Sequence, residues 1–522
     1  MKQHKTILFT NKHLNDKTIR FGLLHSVILS FFLLAWLLPA QAATNYEFSP
    51  TGPLPGDCRL DALSTNAYTC GVVTLADGDI ITVGAQAVTV TFNGRFTTAA
   101  GNQINADGDA NDLTLNTSAV LTLGSNTFLN ANVTSSAAIN VEADSRIGGN
   151  LTGTSTTGVI TLKERSIVGG FIQTDEGAIN IGNRSETAGS VISTGAGVIS
   201  IGNDVKIGGS VETVVGAISI GDRSTTTGNV TSIGNSTAAG VGVVTIGTDV
   251  IIGGSVETVV GAINIGNRSK TNSSVTSNNS SMADGAGVVT IGNNVVVGGN
   301  VESVAGAITI GDSSTTCDSV IITGAGVATI KTGVKIGGNI TTAVGAINID
   351  TDSRIGGDII PLDPVVVDIT GSWVGGNVET IDGGLTLTNS RVYGTVRTTG
   401  KGALTMDPTT GGDRDMDLES LQSPPACPSA TSPLHHLEIV GSDNGVTCDA
   451  NNFIIRAWAD AEQNTRFTAA TITGEMFHSG DPEVTVTYPE SPIFTIDSGL
   501  SETTIKVGVT KGGTVTFDAT AT

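Results

Sequence analysis

Acidic side chains are the first candidates for chemistry in this sequence. Glu212, Glu257 and Glu302 each occupy the third position of a recurring segment, which reads SVETV, SVETV and NVESV. Hydrolysis or elimination on a polysaccharide requires paired carboxylates, or Ca²⁺ with a basic residue, held together in one groove. The three glutamates are instead distributed evenly along the chain. We therefore predict a solvated outer face here, no catalytic residue and no cofactor.

Two short segments are rich in carboxylate and amide oxygens and in turn-forming residues. The first contains Asp107, Asp109, Asn111 and Asp112, and the second contains Asp413, Asp415 and Asp417. Neither segment has both the glycine at the sixth position and the acid at the twelfth position of an EF-hand loop. Asx turns at the ends of structural elements explain both segments without an ion. Calcium binding is the open alternative.

Five cysteines are present, and none has C-x-x-C spacing. Cys58 and Cys70 bracket a short loop and could pair. Cys427 and Cys448 are the next plausible pair, which leaves Cys317 unpaired at a corner or engaged in an intermolecular disulfide.

Few histidines accompany these cysteines. Beyond the first 42 residues the histidines are His435, His436 and His478. Zinc sites combine cysteines and histidines at short, characteristic spacings, which this sequence lacks. We therefore expect no metal site.

The composition excludes nucleic acid as a partner. The 522 residues have a formal net charge of -22, and only 14% of them are charged. A polyanion without a basic stripe repels phosphate backbones. With 68 glycines and only 4% aromatic residues, the sequence favours many short strands joined by tight turns over helices.

The N-terminus has the pattern of a cleavable export signal. Five basic side chains precede an apolar run at 21–38, and Ala40-Gln41-Ala42 supplies a signal-peptidase site. An uncleaved transmembrane anchor is the alternative, since the apolar run is about long enough to span a bilayer. We predict a signal peptide at 1–42 and a mature chain in the periplasm, on the outer surface or outside the cell, where disulfides persist.

A repeat dominates residues 118–407. Segments such as GAINIG, GVISIG and GVVTIG recur at intervals of 19 or 20 residues, with two longer intervals of 26. A second segment, such as IGGSV, follows each of them about ten residues later. We interpret the two segments as two short strands per coil, joined by glycine-rich corners. Units of ~19 residues are too short for helical repeats and suit a parallel β-helix, by default right-handed, with room for about 15 coils. The extra residues, around 235–239 and 278–284, should project as loops from one edge.

Alternation within each GAINIG-type segment separates the core from the surface. Two columns of isoleucine and valine should point inward, one containing Ile263 and the other Ile265. The residue between them should point outward. This exposed polar ladder is a candidate interaction surface and consists of Asn180, Ser200, Ser219, Thr245, Asn264, Thr290, Thr309, Thr329 and Asn348.

The regions flanking the repeats differ from them. Residues 43–117, with expected strands at 80–83 and 87–92, should form an N-terminal cap and the first strands, because an uncapped β-helix exposes a strand edge. Residues 408–435 are rich in Pro, Ser and Asp and read as a linker. Residues 436–522 alternate as short strands at 437–440, 453–458, 484–488, 504–509 and 514–518, which indicates an antiparallel Ig-like β-sandwich.

The repeats and the C-terminal segment together resemble a known family. Coils of the GAITIG and IGGSV type after an Ala-x-Ala signal, and HLEIVGSDNGVTCDANNFIIRAWADAE at 436–462, look like the MshQ-like family of MSHA-type (type IV) pilus biogenesis proteins. The resemblance covers most of residues 60–522. Trp458 stands where the family commonly has cysteine, so the usual partner of Cys448 is missing and Cys427 replaces it. Such proteins usually continue beyond Thr522, so we expect a short or truncated relative.

The resemblance implies a role in type IV pilus function and supplies no catalytic or ligand-binding residues. The coils also resemble those of bactofilins, which are cytoskeletal polymers without a signal peptide. We therefore expect an exported, non-catalytic protein that contacts pilus or cell-envelope proteins, or surface glycans. The alternatives are a secreted carbohydrate-active β-helix enzyme and a ligand- or ice-binding solenoid that uses the polar ladder.

Overall fold

The computed structural model describes residues 43–407, except 63, 85, 156–157, 235–241 and 280–286, and seven strands between 436 and 521. The regular elements of the described residues are all β-strands, apart from one short 3₁₀ helix at Ala110–Asp112. The predicted signal peptide, the linker at 408–435 and the residues 235–241 and 280–286 of the two longer intervals lie outside the described residues. So do Cys427, Cys448, His435 and the segment from Asp413 to Asp417.

Residues 45–406 form a parallel β-solenoid, as the repeat predicts. Each coil of the repeat region contributes one strand to each of three sheets, and consecutive coils pair in parallel. We number the sheets in the order in which a coil passes through them, starting from the GAINIG-type segment. The first sheet consists of Val73–Leu75, Phe96–Thr98, Leu121–Leu123, Ile139–Val141, Ile160–Leu162, Ile179–Ile181, Ile199–Ile201, Ile218–Ile220, Val244–Ile246, Ile263–Ile265, Val289–Ile291, Ile308–Ile310, Ala328–Ile330, Ile347–Ile349, Val367–Thr370, Leu385–Thr388 and Leu404–Met406.

The second sheet is built mainly from two-residue strands. Its members are Asn45–Phe48, Ile80–Val83, Gln103–Ile104, Phe128–Leu129, Arg146–Ile147, Ile167–Val168, Glu186–Thr187, Lys206–Ile207, Thr225–Thr226, Ile251–Ile252, Lys270–Thr271, Val296–Val297, Thr315–Thr316, Lys335–Ile336, Arg354–Ile355, Trp373–Val374 and Arg391–Val392.

The third sheet closes each coil. It contains Arg59–Leu60, Ala67–Cys70, Val88–Phe92, Leu113–Thr117, Asn132–Ser135, Leu151–Gly153, Ile172–Thr174, Val191–Ser193, Val211–Thr213, Val230–Ser232, Val256–Thr258, Val275–Ser277, Val301–Ser303, Val320–Ala325, Ile340–Val344, Ile359–Pro361, Val378–Ile381 and Val396–Thr399. Arg59–Leu60 is antiparallel to its neighbour, whereas the other pairings of this sheet are parallel.

The number of strands per coil differs from the sequence-based expectation of two. A segment such as IGGSV, interpreted as one short strand, divides at its glycines. In the coil of Ile207, the residue pair Lys206–Ile207 belongs to the second sheet, and Val211–Thr213 belongs to the third. Gly208 and Gly209 form the corner, because side chains there would collide with the backbone of the previous coil. The coil therefore has three faces.

Both predicted inward columns of the first sheet are buried. Ile263 and Ile265 have 0% and 3% of their surface exposed, and the other members of the two predicted columns, from Ile179 to Ile349, are equally enclosed. The two other sheets contribute Val, Ile and Leu to the same core. Stacked β-branched side chains fill the interior because their few rotamers suit extended backbone.

The solenoid begins ahead of the recognisable repeat. Strands Ile80–Val83 and Val88–Phe92, close to the predicted ones, already belong to the second and third sheets. Larger side chains replace the isoleucine columns at this end, where Phe92 stacks on Phe96 with ring centroids 4.5 Å apart. Residues 43–117 therefore contain coils of the same architecture, which the glycine-marked pattern does not reveal.

Two cysteine predictions are tested by the described residues. Cys58 and Cys70 form a disulfide with their Cα atoms 4.0 Å apart, as the short loop suggested. The expectation that Cys317 is unpaired is wrong, because its sulfur also belongs to a disulfide. Position 317 follows strand Thr315–Thr316, at the corner where many other coils have glycine.

The C-terminal strands form two antiparallel sheets. The order of the first is His436–Val440, Ala450–Trp458, Glu502–Val509 and Val486–Thr487, and the order of the second is Ile493–Ile496, Ile472–Gly480 and Val515–Ala521. The five predicted segments each overlap one of these strands. Strands Ile472–Gly480 and Ile493–Ile496 were not predicted. An Ig-like topology stays a prediction.

No helix among the described residues is both long and apolar enough to cross a membrane.

Candidate interaction surfaces of the solenoid

The predicted polar ladder lies on the outer face of the first sheet. Each of its nine residues pairs in register with the next, as Thr290 does with Thr309 and Thr309 with Thr329. Every member lies between two buried residues on its strand, so its side chain points outward. The column continues in register toward both ends of the solenoid, with Thr161 preceding Asn180 and Asp368 following Asn348.

A second outward column runs beside this ladder. It consists of the alanine or valine that precedes each buried isoleucine, and Val198, Val327 and Val366 are its most exposed members. From Thr161 to Asn348 the outer face of the first sheet thus combines a hydroxyl and amide column with a small apolar column. The surface can form hydrogen bonds and short apolar contacts, and its two columns contain no charged side chain in that range.

The predicted glutamate column lies on the outer face of the third sheet. Glu212 pairs in register with Thr231, and Thr231 pairs with Glu257. Thr276 separates Glu257 from Glu302 in the same way. Neighbouring glutamates are therefore two coils apart, or about 10 Å at the spacing of paired strands.

Amide groups contact two of these glutamates. The Nδ2 of Asn278 donates to Oε1 of Glu257 at 2.7 Å, and the Nδ2 of Asn300 donates to Oε1 of Glu302 at 2.8 Å. Carboxylates that accept amide hydrogen bonds and alternate with threonine form a polar surface. This arrangement does not bring two carboxylates of the column together.

Side-chain ladders at two corners were missed by the sequence reasoning. At the corner between the second and third sheets, Asn339 accepts at Oδ1 from the backbone nitrogen of Asp358 at 2.8 Å, and Asp358 accepts from Asn377. Such bonds link consecutive coils in addition to the strand pairing. The signal was visible in the sequence as the Asn, Ser or Asp before most third-sheet strands of the repeat region.

Ion pairs occupy the corner that follows the first sheet. Arg223 forms a bidentate pair with Asp204, with distances of 2.7 Å from Nε to Oδ1 and 2.8 Å from Nη2 to Oδ2. Arg268 and Asp249 repeat this arrangement. Each of these residues has a positive φ near 58° and projects from the turn. Arginine from one coil therefore neutralises aspartate from the coil before it.

These pairs shift the titration of the carboxylates. Hydrogen bonds from Arg223 lower the pKa of Asp204, and those from Arg268 lower the pKa of Asp249. Because the pKa in the folded state is below that in the unfolded chain, the pairs stabilise the solenoid above the unfolded value of about 4. Their contribution disappears as the pH falls through the folded pKa.

We expect Arg223→Gln to lower the melting temperature slightly at pH 7 and to have a smaller effect at pH 2. The pH of 2 lies below the unfolded pKa of about 4, so the stabilisation from the ion pair is partly lost there as the pH falls toward the lowered folded pKa of Asp204. Thermal unfolding followed by circular dichroism at both pH values measures the difference. Lys206→Gln, which leaves the bidentate pair in place, should not show the same pH dependence. An equal loss at both pH values would contradict this explanation.

The first oxygen-rich segment forms a capped turn. The backbone nitrogen of Asn111 donates to Oδ1 of Asp109 at 2.9 Å, and the backbone nitrogen of Asp109 donates to Oδ2 of Asp112 at 2.8 Å. This capping box starts the 3₁₀ helix Ala110–Asp112. The Asx interpretation of this segment therefore has a direct structural basis.

Metal ligands are not clustered in the described part of the chain, where no group of three or more His, Cys, Asp or Glu side chains could hold an ion.

The geometry defines a repetitive parallel β-solenoid protein. No family model matches the sequence, and no curated protein or solved structure matches it either.

Proposed function

We propose that this chain is an exported, non-catalytic structural and interaction protein, whose solenoid contributes to type IV (MSHA-like) pilus biogenesis or surface adhesion. The observation that carries the proposal is the in-register stacking of coils of one architecture over residues 73–406. Such a stack behaves as a quasi-one-dimensional support, because each coil contacts mainly its neighbours. The outer faces of the stack present the same kinds of side-chain groups repeatedly along its length.

The links between coils support a mechanical role. Backbone pairing, the Asn and Ser ladders and the ion pairs at the corners all join one coil to the next. Weak contacts repeated along the polar ladder add up when a partner engages several coils at once. The resemblance to pilus biogenesis proteins and the N-terminal export pattern suggest the cell surface as the place of action.

The arrangement of carboxylates supports the non-catalytic assignment. Glu212, Glu257 and Glu302 are separated by threonines in the register of the third sheet. General acid–base hydrolysis of a glycosidic bond needs two carboxyl groups within ~5–9.5 Å that face one bond in a shared groove. A column of single glutamates along one sheet suits surface presentation better.

Shortening the solenoid tests the proposal. Deletion of residues 261–305 removes two coils and joins Val260 to Gly306, which recreates the natural junction between a third-sheet strand and the next glycine. We expect the shortened protein to fold and to be exported normally. In a deletion strain it should restore piliation and adhesion only partly, because fewer coils contribute contacts. Pilus counts by electron microscopy, adhesion assays and immunoblots of the exported protein measure these effects.

A triple variant provides the control for chemistry. Glu212→Gln, Glu257→Gln and Glu302→Gln together keep the shape of the third sheet and remove its carboxylates. This variant should support piliation and adhesion like the parent protein. Full activity of the shortened protein combined with complete loss in the triple variant would refute the proposal and favour a discrete chemical site.

A further inference from the structure

An open groove follows the corner between the second and third sheets near the N-terminal end of the solenoid. It comprises two adjoining cavities with volumes of about 350 Å³ and about 470 Å³. The two cavities share Asn150, Gly169 and Gly170 as lining residues. We call the combined feature the corner groove, which extends from Gly108 to Ile192 across five consecutive coils.

The sequence explains why a groove forms at this place. In most coils three residues join the second sheet to the third, whereas eight residues join Gln103–Ile104 to Leu113–Thr117. The longer connection contains the 3₁₀ helix Ala110–Asp112, which forms one wall of the groove. Glycines at 148, 149, 169 and 170 leave the floor free of side chains.

Carboxamides supply most of the polar side chains of the corner groove. Asn130 donates through Nδ2 to the carbonyl of Gly108, and Asn132 donates to the carbonyl of Ala110, so both amides are oriented by the wall. Oδ1 of Asn132 accepts from the backbone of Asn150 at 3.0 Å. A side-chain amide has a hydrogen-bond donor and an acceptor side by side, which suits ligands whose groups both donate and accept hydrogen bonds.

Phe171 breaks the pattern of this corner. On neighbouring coils the same position holds Asn132, Asn150, Ser190 and Ser210, and three of them accept a hydrogen bond from the next coil. A phenyl ring cannot accept such a bond, so the ladder is interrupted at Phe171. Its side chain lies on the surface of the groove and is 36% exposed. Phe171 thus removes one hydrogen bond between coils and exposes part of an aromatic ring to solvent. Such a departure from the local pattern is typical of a functional site.

We propose that the corner groove binds a neutral glycan chain, with Phe171 as the stacking platform and the asparagine amides as hydrogen-bonding partners. Pyranose rings combine an apolar face with hydroxyls that donate and accept, and this combination matches a phenyl ring surrounded by carboxamides. Coils follow each other at ~4.8 Å, close to the length of one sugar unit in an extended chain. The inference rests on the proposed function, since it names a partner for surface adhesion.

Charge favours a neutral ligand over an anionic one. The described residues that line the two cavities include the carboxylate of Asp109 and no basic side chain. The whole chain has a net charge of -22, so an acidic polysaccharide would be repelled. Asp109 itself accepts a backbone hydrogen bond from Asn111 and belongs to the wall.

Calorimetry on the full mature chain tests the proposal with three defined probes. These are the hexasaccharides of β-1,4-linked glucose, β-1,4-linked N-acetylglucosamine and, as the anionic comparison, galacturonic acid. We expect submillimolar binding of at least one neutral probe and weaker binding of the anionic one. Phe171→Ala should weaken the neutral interaction about tenfold, as expected for a central aromatic contact.

A second variant separates binding from folding. Phe171→Asn installs the residue that the ladder has at Asn132 and Asn150, so the melting temperature should not fall, while glycan affinity should decrease about tenfold. Val327→Ala removes an exposed apolar side chain far along the chain from the groove and should leave affinity unchanged. Unaltered binding by Phe171→Asn, preference for galacturonate, or no binding of either neutral probe up to its solubility limit would overturn the proposal. None of these results bears on the shortened solenoid, whose missing coils lie outside the groove.

Discussion

Ile265→Asp should destabilise the solenoid far more than Thr309→Asp. Both residues belong to strands of the first sheet, but Ile265 is 3% exposed in the core, whereas Thr309 points outward between buried neighbours. A carboxylate at position 265 would be unpaired among isoleucines, and its smaller side chain would leave a void. The expected loss is about 3–5 kcal/mol. Aspartate at position 309 should change stability by no more than about 0.5 kcal/mol.

Thermal unfolding by circular dichroism measures both variants, with Ile265→Val and Ile265→Asn as controls. Valine keeps an apolar side chain and should cost about 1 kcal/mol. Asparagine has the shape of aspartate without the charge. Burial raises the pKa of a carboxyl, so the loss in Ile265→Asp should shrink toward that of Ile265→Asn as the pH falls. Equal losses for aspartate at 265 and 309 would contradict this assignment of the inner and outer faces, and a larger loss at 309 would mean that the faces are reversed.

The fold was predictable because the alternation of apolar and polar residues within the repeat identifies the core residues directly. In a segment such as GAINIG the alternation of Ile263, Asn264 and Ile265 predicts a strand and also predicts which side chains point inward and which point outward. The structure agrees at all three positions. Stacking in register followed from the spacing of 19 or 20 residues that most coils share. The same reasoning failed to find the coils before residue 118, where Phe, Leu and Val occupy the inward positions without the glycine pattern.

The corners were less predictable than the strands. IGGSV gives no local sign that the chain bends between Ile207 and Val211, because the bend depends on the approach of the previous coil. The spacing of the cysteines did not reveal that Cys317 belongs to a disulfide. Alignment of the repeats places Phe171 where neighbouring coils have Asn or Ser. That this position lies at the edge of a groove is shown only by the three-dimensional structure.

Gly197→Ala should be the most damaging of the small substitutions. The corner from the third sheet to the first contains a column of glycines, in which the backbone of each coil rests on that of the coil before. A Cβ atom on Gly197 would overlap the carbonyl oxygen of Gly177, and one on Gly216 would overlap that of Gly197. Backbone cannot yield as a flexible side chain does, so the coils must separate locally. We expect a loss of about 3 kcal/mol or more.

Gly384→Ala is the matched control, because a Cβ atom at Gly384 would meet nothing within 4 Å. There the substitution should be neutral or stabilise by up to about 1 kcal/mol, since alanine restricts the unfolded chain. Melting temperatures of both variants, together with hydrogen exchange of the amides in strands Ile179–Ile181 and Ile199–Ile201, locate the damage. Faster exchange confined to these strands in Gly197→Ala would show that coil contact at the glycine column holds the stack together. Equal melting temperatures for the two variants would show that the corner backbone can move apart without loss, and that the glycines serve turn formation alone.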